Sequence, residues 1–306
     1  ATPAAQRALK AAVVAEALSR IAGLTVDVTV EELPGGPLGW RTRVGLDVGG
    51  DGRAGLHAHR SSRVLPLDDC PLVVPATLDG VLSRTWPAHS AVEVTRDDEG
   101  GVHVVQVTRG GRHRRRIRGS GVATQYAGGR RWRVAADGFW QVHPHAAGTL
   151  AAAVGEWAKA PAGGLAWDLY GGVGLFAAGL AEAVGITGSV VVVESSRRAV
   201  ADGAANLADL PQVSLRAGRV EDVLPALGGT PDVVVADPPR RGLGGPLATM
   251  LAERSPGRIV HVACDPASLA RDVAVLAGHG YRLAALRAFD AFPMTHHVEC
   301  VALLTR

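Results

Sequence analysis

Seven short apolar runs occupy the second half of the chain: Leu165–Tyr170, Ser189–Glu194, Val213–Ala217, Asp232–Asp237, Arg258–Cys264, Arg282–Phe289 and Val298–Leu304. Each has the length of a buried strand, and helix-length segments separate the first six. That alternation specifies a doubly wound α/β sheet whose strands run parallel. Between the last two runs stand only Asp290-Ala291-Phe292-Pro293-Met294-Thr295-His296-His297, too few residues for a crossover helix. The last two strands are therefore expected to pair antiparallel. The expected architecture is a Rossmann-like α/β domain with a seven-stranded mixed sheet, preceded by a smaller β-rich domain.

The region ahead of the sheet has a different character. Residues 1–23 carry Arg7, Lys10, Glu16 and Arg20 among apolar positions, the pattern of an amphipathic helix and not of a signal peptide. Residues 24–136 show strand-like alternation at Thr25–Val30 and Val102–Val107, punctuated by the turn signals PGGP (34–37), GGDG (49–52) and RGG (109–111). The expected division is a helix at 1–23, a β-rich central domain at 24–136 and the α/β domain at 137–306. A hydrophobic content of 47% with 20% charged residues excludes a disordered or fibrous chain. No apolar run reaches the roughly 18 residues of a membrane span, and three cysteines do not make a disulfide framework. A cytoplasmic, monomeric protein is expected. A chain beginning at Ala1 is expected to have lost its initiator Met or to be a fragment. Net charge is only +3, but nine arginines and no Asp or Glu lie between Arg109 and Arg133. Lys10 and Lys159 are the only lysines.

The first strand of the α/β domain runs into Asp168-Leu169-Tyr170-Gly171-Gly172-Val173-Gly174-Leu175-Phe176. A glycine-rich strand-to-helix turn lets a nucleotide cofactor approach the backbone, and the acid ending the second strand, Glu194, can accept ribose hydroxyls. This pair serves NAD and S-adenosylmethionine (SAM) alike, although Ala177 replaces the third glycine usual in NAD sites. The fourth strand ends in Asp237-Pro238-Pro239-Arg240-Arg241-Gly242, where two prolines build a stiff loop at the ligand-binding edge. Arg240 occupies the position at which adenine amino-methyltransferases carry a stacking aromatic, which disfavours that activity.

Cys264 ends the fifth strand, followed by Asp265 as a helix N-cap and Pro266 at the first helical position. A thiol at a helix N-terminus is expected to favour its thiolate. Glu299 begins the last strand, ahead of an apolar run. A nucleophilic Cys, a carboxylate and a methyl donor at one sheet edge suit methylation at carbon 5 of a pyrimidine. Thiolate addition at carbon 6 makes carbon 5 nucleophilic; after methyl transfer a base removes the carbon-5 proton and the sulfur leaves. Cys264 would be the nucleophile and Glu299 the base.

DLYGGVGLF, VVVVES, DPPRRG, ACDP and THHVE, in that order, resemble the RNA (uracil-5-)-methyltransferase family, which comprises class I SAM-dependent enzymes. The resemblance covers the chain and is most specific over 137–306. It implies SAM as cofactor, RNA as partner and 5-methyluridine as product. It implies SAM contacts at Gln141, Tyr170, Glu194 and Asp237, the nucleophile at Cys264 and the base at Glu299. Three positions depart from the family pattern: Asp265, His143 and Leu175 stand where relatives usually carry Asn. Asp265 would put a second negative charge beside the thiol.

Relatives that act on ribosomal RNA hold an iron–sulfur cluster with three upstream cysteines and a fourth in a Cys-Pro context. Cys70-Pro71 matches the fourth alone, so no cluster is expected, and the small RNA-binding barrel often found at the N-terminus of relatives is expected to be absent as well. The Cys-Pro favours 23S ribosomal over transfer RNA. No metal site is expected; His296 and His297 instead order the loop that carries the base, and Cys300 faces the core. The arginine-rich stretch and Trp132, Trp140 and Tyr126 are candidates for holding RNA. Two other readings stand beside this one: an NAD-dependent oxidoreductase on the same sheet, and a non-catalytic RNA-binding remnant.

Overall fold

The computed structural model of the chain describes residues 1–108, 110–111 and 113–306. Two compact units emerge, and they do not follow a simple N-to-C division: one comprises Ala1–Pro34 with His145–Arg306, the other Gly35–Pro144.

The first unit opens with α1 (Pro3–Ala17), capped by the Thr2 hydroxyl accepting from the Ala5 N–H and continued by a π-helical turn at Leu18–Ala22. A short strand β1 (Val30–Glu32) follows, and the chain then leaves for the second unit. That unit is antiparallel. Strands β2 (Arg43–Val48), β3 (Ala54–His57), β4 (Val64–Pro66), β5 (Ala91–Arg96), β6 (Val102–Val107) and β7 (Arg114–Arg118) form one sheet in the order β4-β3-β2-β5-β6-β7. Strands β8 (Val122–Ala127) and β9 (Arg130–Ala135) form a hairpin. Val44, Leu46, Val48, Val92, Val94, Val102 and Val104, alternate residues of neighbouring strands, make its core with Trp86.

Back in the first unit, the chain runs α2 (Ala146–Ala158), β10 (Leu165–Leu169), α3 (Leu175–Val184), β11 (Ser189–Glu194), α4 (Arg197–Asn206), β12 (Val213–Ala217), α5 (Val220–Val223), β13 (Val233–Ala236), α6 (Gly245–Glu253), β14 (Arg258–Ala263), α7 (Pro266–Gly278), β15 (Arg282–Asp290) and β16 (Glu299–Thr305). The sheet order is β1-β15-β16-β14-β13-β10-β11-β12. Every predicted strand of the α/β domain is present, and β16 runs antiparallel between β14 and β15. Trp167, Leu169, Val234, Ile259, Leu269 and Val273 belong to its core and are at most 1% exposed. The order of strands reverses between β10 and β13. There the outward crossovers to β11 and β12 give way to the opposite direction, opening a crevice at the strand carboxyl ends.

Two expectations change. The sheet has eight strands, because β1 pairs parallel with β15 through Val30↔Ala288, Glu31↔Phe289 and Glu32↔Asp290. Of the alternating run Thr25–Val30 only Val30 enters a strand. The boundaries at 23/24 and 136/137 move to 34/35 and 144/145, and the first helix is no separate element. Val14 and Leu18 are fully buried in the α/β core, against which α1 and its π-helical turn pack through α7. Burying two such side chains contributes about 1.5–3 kcal/mol each. Among the described residues no helix is long and apolar enough to cross a membrane.

Candidate active site

The crevice is lined first by the turn after β10. Asp168, the penultimate residue of β10, is fully buried, and its Oδ2 accepts the Ala177 N–H of α3 at 3.0 Å. Because α3 starts from Gly174 with no side-chain cap, this carboxyl performs the capping from the strand below. Among the described residues its Oδ1 has no hydrogen-bond partner, a buried polar atom that a ligand can satisfy. Burial, with the charges of Asp237 and Glu194 nearby, pushes Asp168 up to about 8, against the opposing Ala177 hydrogen bond. Gly171 is required by close approach: a Cβ there would lie 2.5 Å from the Val192 side chain and 2.9 Å from Asp168. Tyr170 adopts a left-handed backbone with φ of 62°, which turns the chain sharply out of the strand. Glu194 at the end of β11 braces the turn, one oxygen accepting from Gly172 N–H at 3.1 Å and the other from Ser196 N–H at 2.6 Å.

The second wall comes from β14 and β16. Their antiparallel register pairs Val262 with Val301 and Ala263 with Cys300. One step further, Cys264 comes opposite Glu299, and opposite residues project to the same face. On its other side Glu299 pairs with Phe289 of β15, and only 5% of it is exposed. Burial raises the Glu299 carboxyl well above the usual range; Asp237 adds to the rise and Arg240 opposes it. The loop after β13 brings Asp237, half-buried and pushed up to about 7 by burial, with His261 acting against the rise. Its Arg240 reaches His297 Nε2 at 3.0 Å, and the Thr295 hydroxyl accepts the His297 N–H, so the turn that bears His296 and His297 is held at two points ahead of Glu299.

The thiol departs from expectation. Burial, then Glu299 and Asp237, push Cys264 up to about 11, outweighing Arg240 and the backbone amide that favour the thiolate. The helix end is present but loses to desolvation and like charge. Asp265 is not among the groups responsible: its Oδ1 accepts the Ser268 N–H at 2.8 Å, so the charge is turned into capping α7.

The structure thus brings Tyr170, Glu194, Asp237, Cys264 and Glu299 to the carboxyl edge of one sheet. Gln141 lies in the other unit, buried after β9, in the same segment as His143, whose ring stacks on Trp40 at 5.8 Å. Asp168 was missed in the sequence reading, although a charged residue inside a buried strand is a legible signal. Cys300 is fully buried, as expected. Trp132 and Trp140 pack on each other at 5.9 Å and are 1% and 6% exposed, which removes them as stacking platforms, whereas Tyr126 is 51% exposed. Cys70 is half-buried against the apolar core of the second unit, near Arg41. Arg109 and Arg112 of the arginine stretch lie outside the described residues. Among the described residues no group of three His, Cys, Asp or Glu is placed to hold a metal ion.

The family model for tRNA (uracil-5-)-methyltransferase matches residues 230–306. A protein of Streptomyces avermitilis described as an uncharacterized RNA methyltransferase is 42% identical, over 99% of this chain and 78% of its own. A similarly described protein of Corynebacterium efficiens is 40% identical over 100% of this chain and 76% of its own. The fold is shared with Pyrococcus abyssi tRNA (uracil-54, C5)-methyltransferase, solved with S-adenosyl-L-homocysteine, at a TM-score of 0.76 and 23% identity, covering 98% of this chain and 83% of that one.

Proposed function

This chain belongs to the SAM-dependent RNA (uracil-5-)-methyltransferase family, and from that membership we propose that it methylates carbon 5 of a uridine in ribosomal RNA through a covalent adduct on Cys264. The observation that carries the reading is the β14–β16 register, which sets a thiol and a buried carboxyl side by side at the carboxyl edge of the sheet.

SAM supplies the methyl group. Glu194 and Asp237, with the open turn at Tyr170–Gly174, would hold its nucleoside, and the unsatisfied Asp168 Oδ1 fits a donor in that crevice. Cys264 loses its proton to solvent as RNA enters, and its sulfur adds to carbon 6 of the uracil. Carbon 5 takes the methyl group as its bond to the donor sulfur breaks, leaving the demethylated cofactor behind. Glu299 then removes the proton on carbon 5, the C5–H electrons restore the C5–C6 double bond, and the sulfur departs as thiolate. The proton on Glu299 returns to Cys264, so one proton is released per turnover. A carboxyl destabilised by burial is a stronger base once ionised, which suits this last step. Arg240, which favours the charged forms of both Glu299 and Cys264, limits the cost of holding negative charge there.

Ribosomal RNA is favoured by Cys70-Pro71, the Cys-Pro context shared with relatives acting on that substrate. Transfer RNA is the second reading, favoured by the family model's own description. In the second unit, β7 is proposed as a phosphate track: Arg115, Arg116 and Arg118 are exposed on the edge strand. The deciding experiment incubates tritiated SAM with undermethylated 23S ribosomal and transfer RNA, wild type against Cys264→Ala. Label at carbon 5 of uridine in one RNA only, lost in Cys264→Ala, is expected. No label in either RNA while SAM still binds would remove the catalytic reading.

A further inference from the structure

Lys10 stands apart from the catalytic edge in sequence and is one of only two lysines in an arginine-rich chain. It is 5% exposed, on α1, and its Nζ donates to Asp290 Oδ1 at 2.6 Å and to the Phe292 carbonyl at 3.0 Å. Asp290 is the last residue of β15, and its side chain is 4% exposed. The Phe292 carbonyl also accepts from the Thr295 hydroxyl at 2.8 Å and the Thr295 N–H at 3.2 Å. The Thr295 hydroxyl in turn takes the His297 N–H at 3.2 Å, two residues before Glu299. Gln6, one helical turn before Lys10, reaches Met294 Sδ at 3.1 Å. The first helix thus grips both the end of β15 and the turn that feeds β16.

We infer that Lys10 is a positioning residue for the reaction: its buried ammonium ties the β15–β16 turn to α1 and so fixes where Glu299 meets carbon 5 of the bound uridine. A buried ion pair is an inefficient way to gain stability, since two apolar residues of similar volume do as well or better. Its retention here is explained by the second acceptor, a loop carbonyl that no apolar residue can hold. The residue type fits the same role. An ammonium is a compact charge with three donors and fills a slot between one carboxylate and one carbonyl, where a planar guanidinium would push the turn away.

The inference rests on Glu299 being the base, and the test separates the two claims. If Glu299 is displaced, thiolate addition and methyl transfer still occur but the carbon-5 proton stays, so the protein–RNA adduct persists. Wild type, Lys10→Met and the double variant Lys10→Met/Asp290→Leu are incubated with SAM and whichever RNA the wild type labels, and adduct is read on denaturing gels. The double variant removes both buried charges and so should melt near the wild-type temperature. It should nevertheless turn over at least tenfold more slowly, with SAM affinity within twofold and adduct accumulating. A double variant that turns over within twofold of wild type overturns the inference, as does slow turnover without adduct. A failure of the base assignment shows separately, as Glu299→Gln that neither slows turnover nor accumulates adduct.

Discussion

His261 on β14 and Asp272 on α7 meet Nε2 to Oδ2 at 2.9 Å with side chains 0% and 2% exposed. The same Oδ2 accepts the Leu243 N–H at 2.7 Å, and Oδ1 accepts the Gly244 N–H at 3.0 Å. One carboxylate therefore closes the loop that begins at Asp237, and Gly242 is glycine because a Cβ there would lie 2.4 Å from Asp272 Oδ2.

Asp272→Ala would strand a buried imidazole and two N–H groups, at a cost of about 3–5 kcal/mol. Asp272→Asn keeps an acceptor and should lose less. Urea denaturation measures both; an alanine variant within about 1 kcal/mol of wild type, the worth of a single ordinary hydrogen bond, would show the clasp to be dispensable.

The thiol chemistry has a signed pH dependence. With Cys264 held near 11, its alkylation by iodoacetamide in the ligand-free protein should rise about tenfold per pH unit from pH 7.5 to 9.5, since only the thiolate reacts. Removing a negative neighbour lowers the thiol pKa, so Asp237→Asn should react several-fold faster at pH 8. Removing the positive neighbour raises it, so Arg240→Ala should react more slowly. Rates corrected with Cys264→Ala isolate this thiol. A wild-type rate already level below pH 9 would contradict the assignment.

Strand β7 offers an electrostatic test. Arg114 is paired with the carboxylate of Asp137, whereas Arg116 and Arg118 donate to the neutral carbonyls of Ser120 and Asp79. Replacing Arg115, Arg116 and Arg118 by Ala should weaken binding of a labelled oligouridylate and reduce the slope of log affinity against log salt by about 2, at roughly 0.7 per phosphate contact on a single strand. Arg114→Ala should change the slope less. An unchanged slope in the triple variant would place the RNA track elsewhere.

The strands of the α/β unit were legible because parallel strands buried on both faces read as unbroken apolar runs, and the short Asp290–His297 connection dictated the antiparallel pair. The residues at the carboxyl edge of the sheet were legible for a related reason: in a doubly wound sheet, strand ends and their following turns come together whatever the detail of packing. The β1 strand was not, since its partner in β15 lies at the far end of the chain and three residues carry no periodicity of their own.

The amino-acid sequence by itself determined seven strands of the sheet, their polarity and five of the side chains delivered to its edge: Tyr170, Glu194, Asp237, Cys264 and Glu299. Tertiary structure alone decided their chemistry. Whether Cys264 favours thiol or thiolate depends on a contest between a helix end, desolvation and two carboxyls, and each of those acts through space. Lys10 and Asp272 are remote in sequence from the loops they hold, and their partners are defined by burial and distance. Local pattern fixes where the backbone goes; ionisation and tethering depend on which charges the folded chain shuts away from water together.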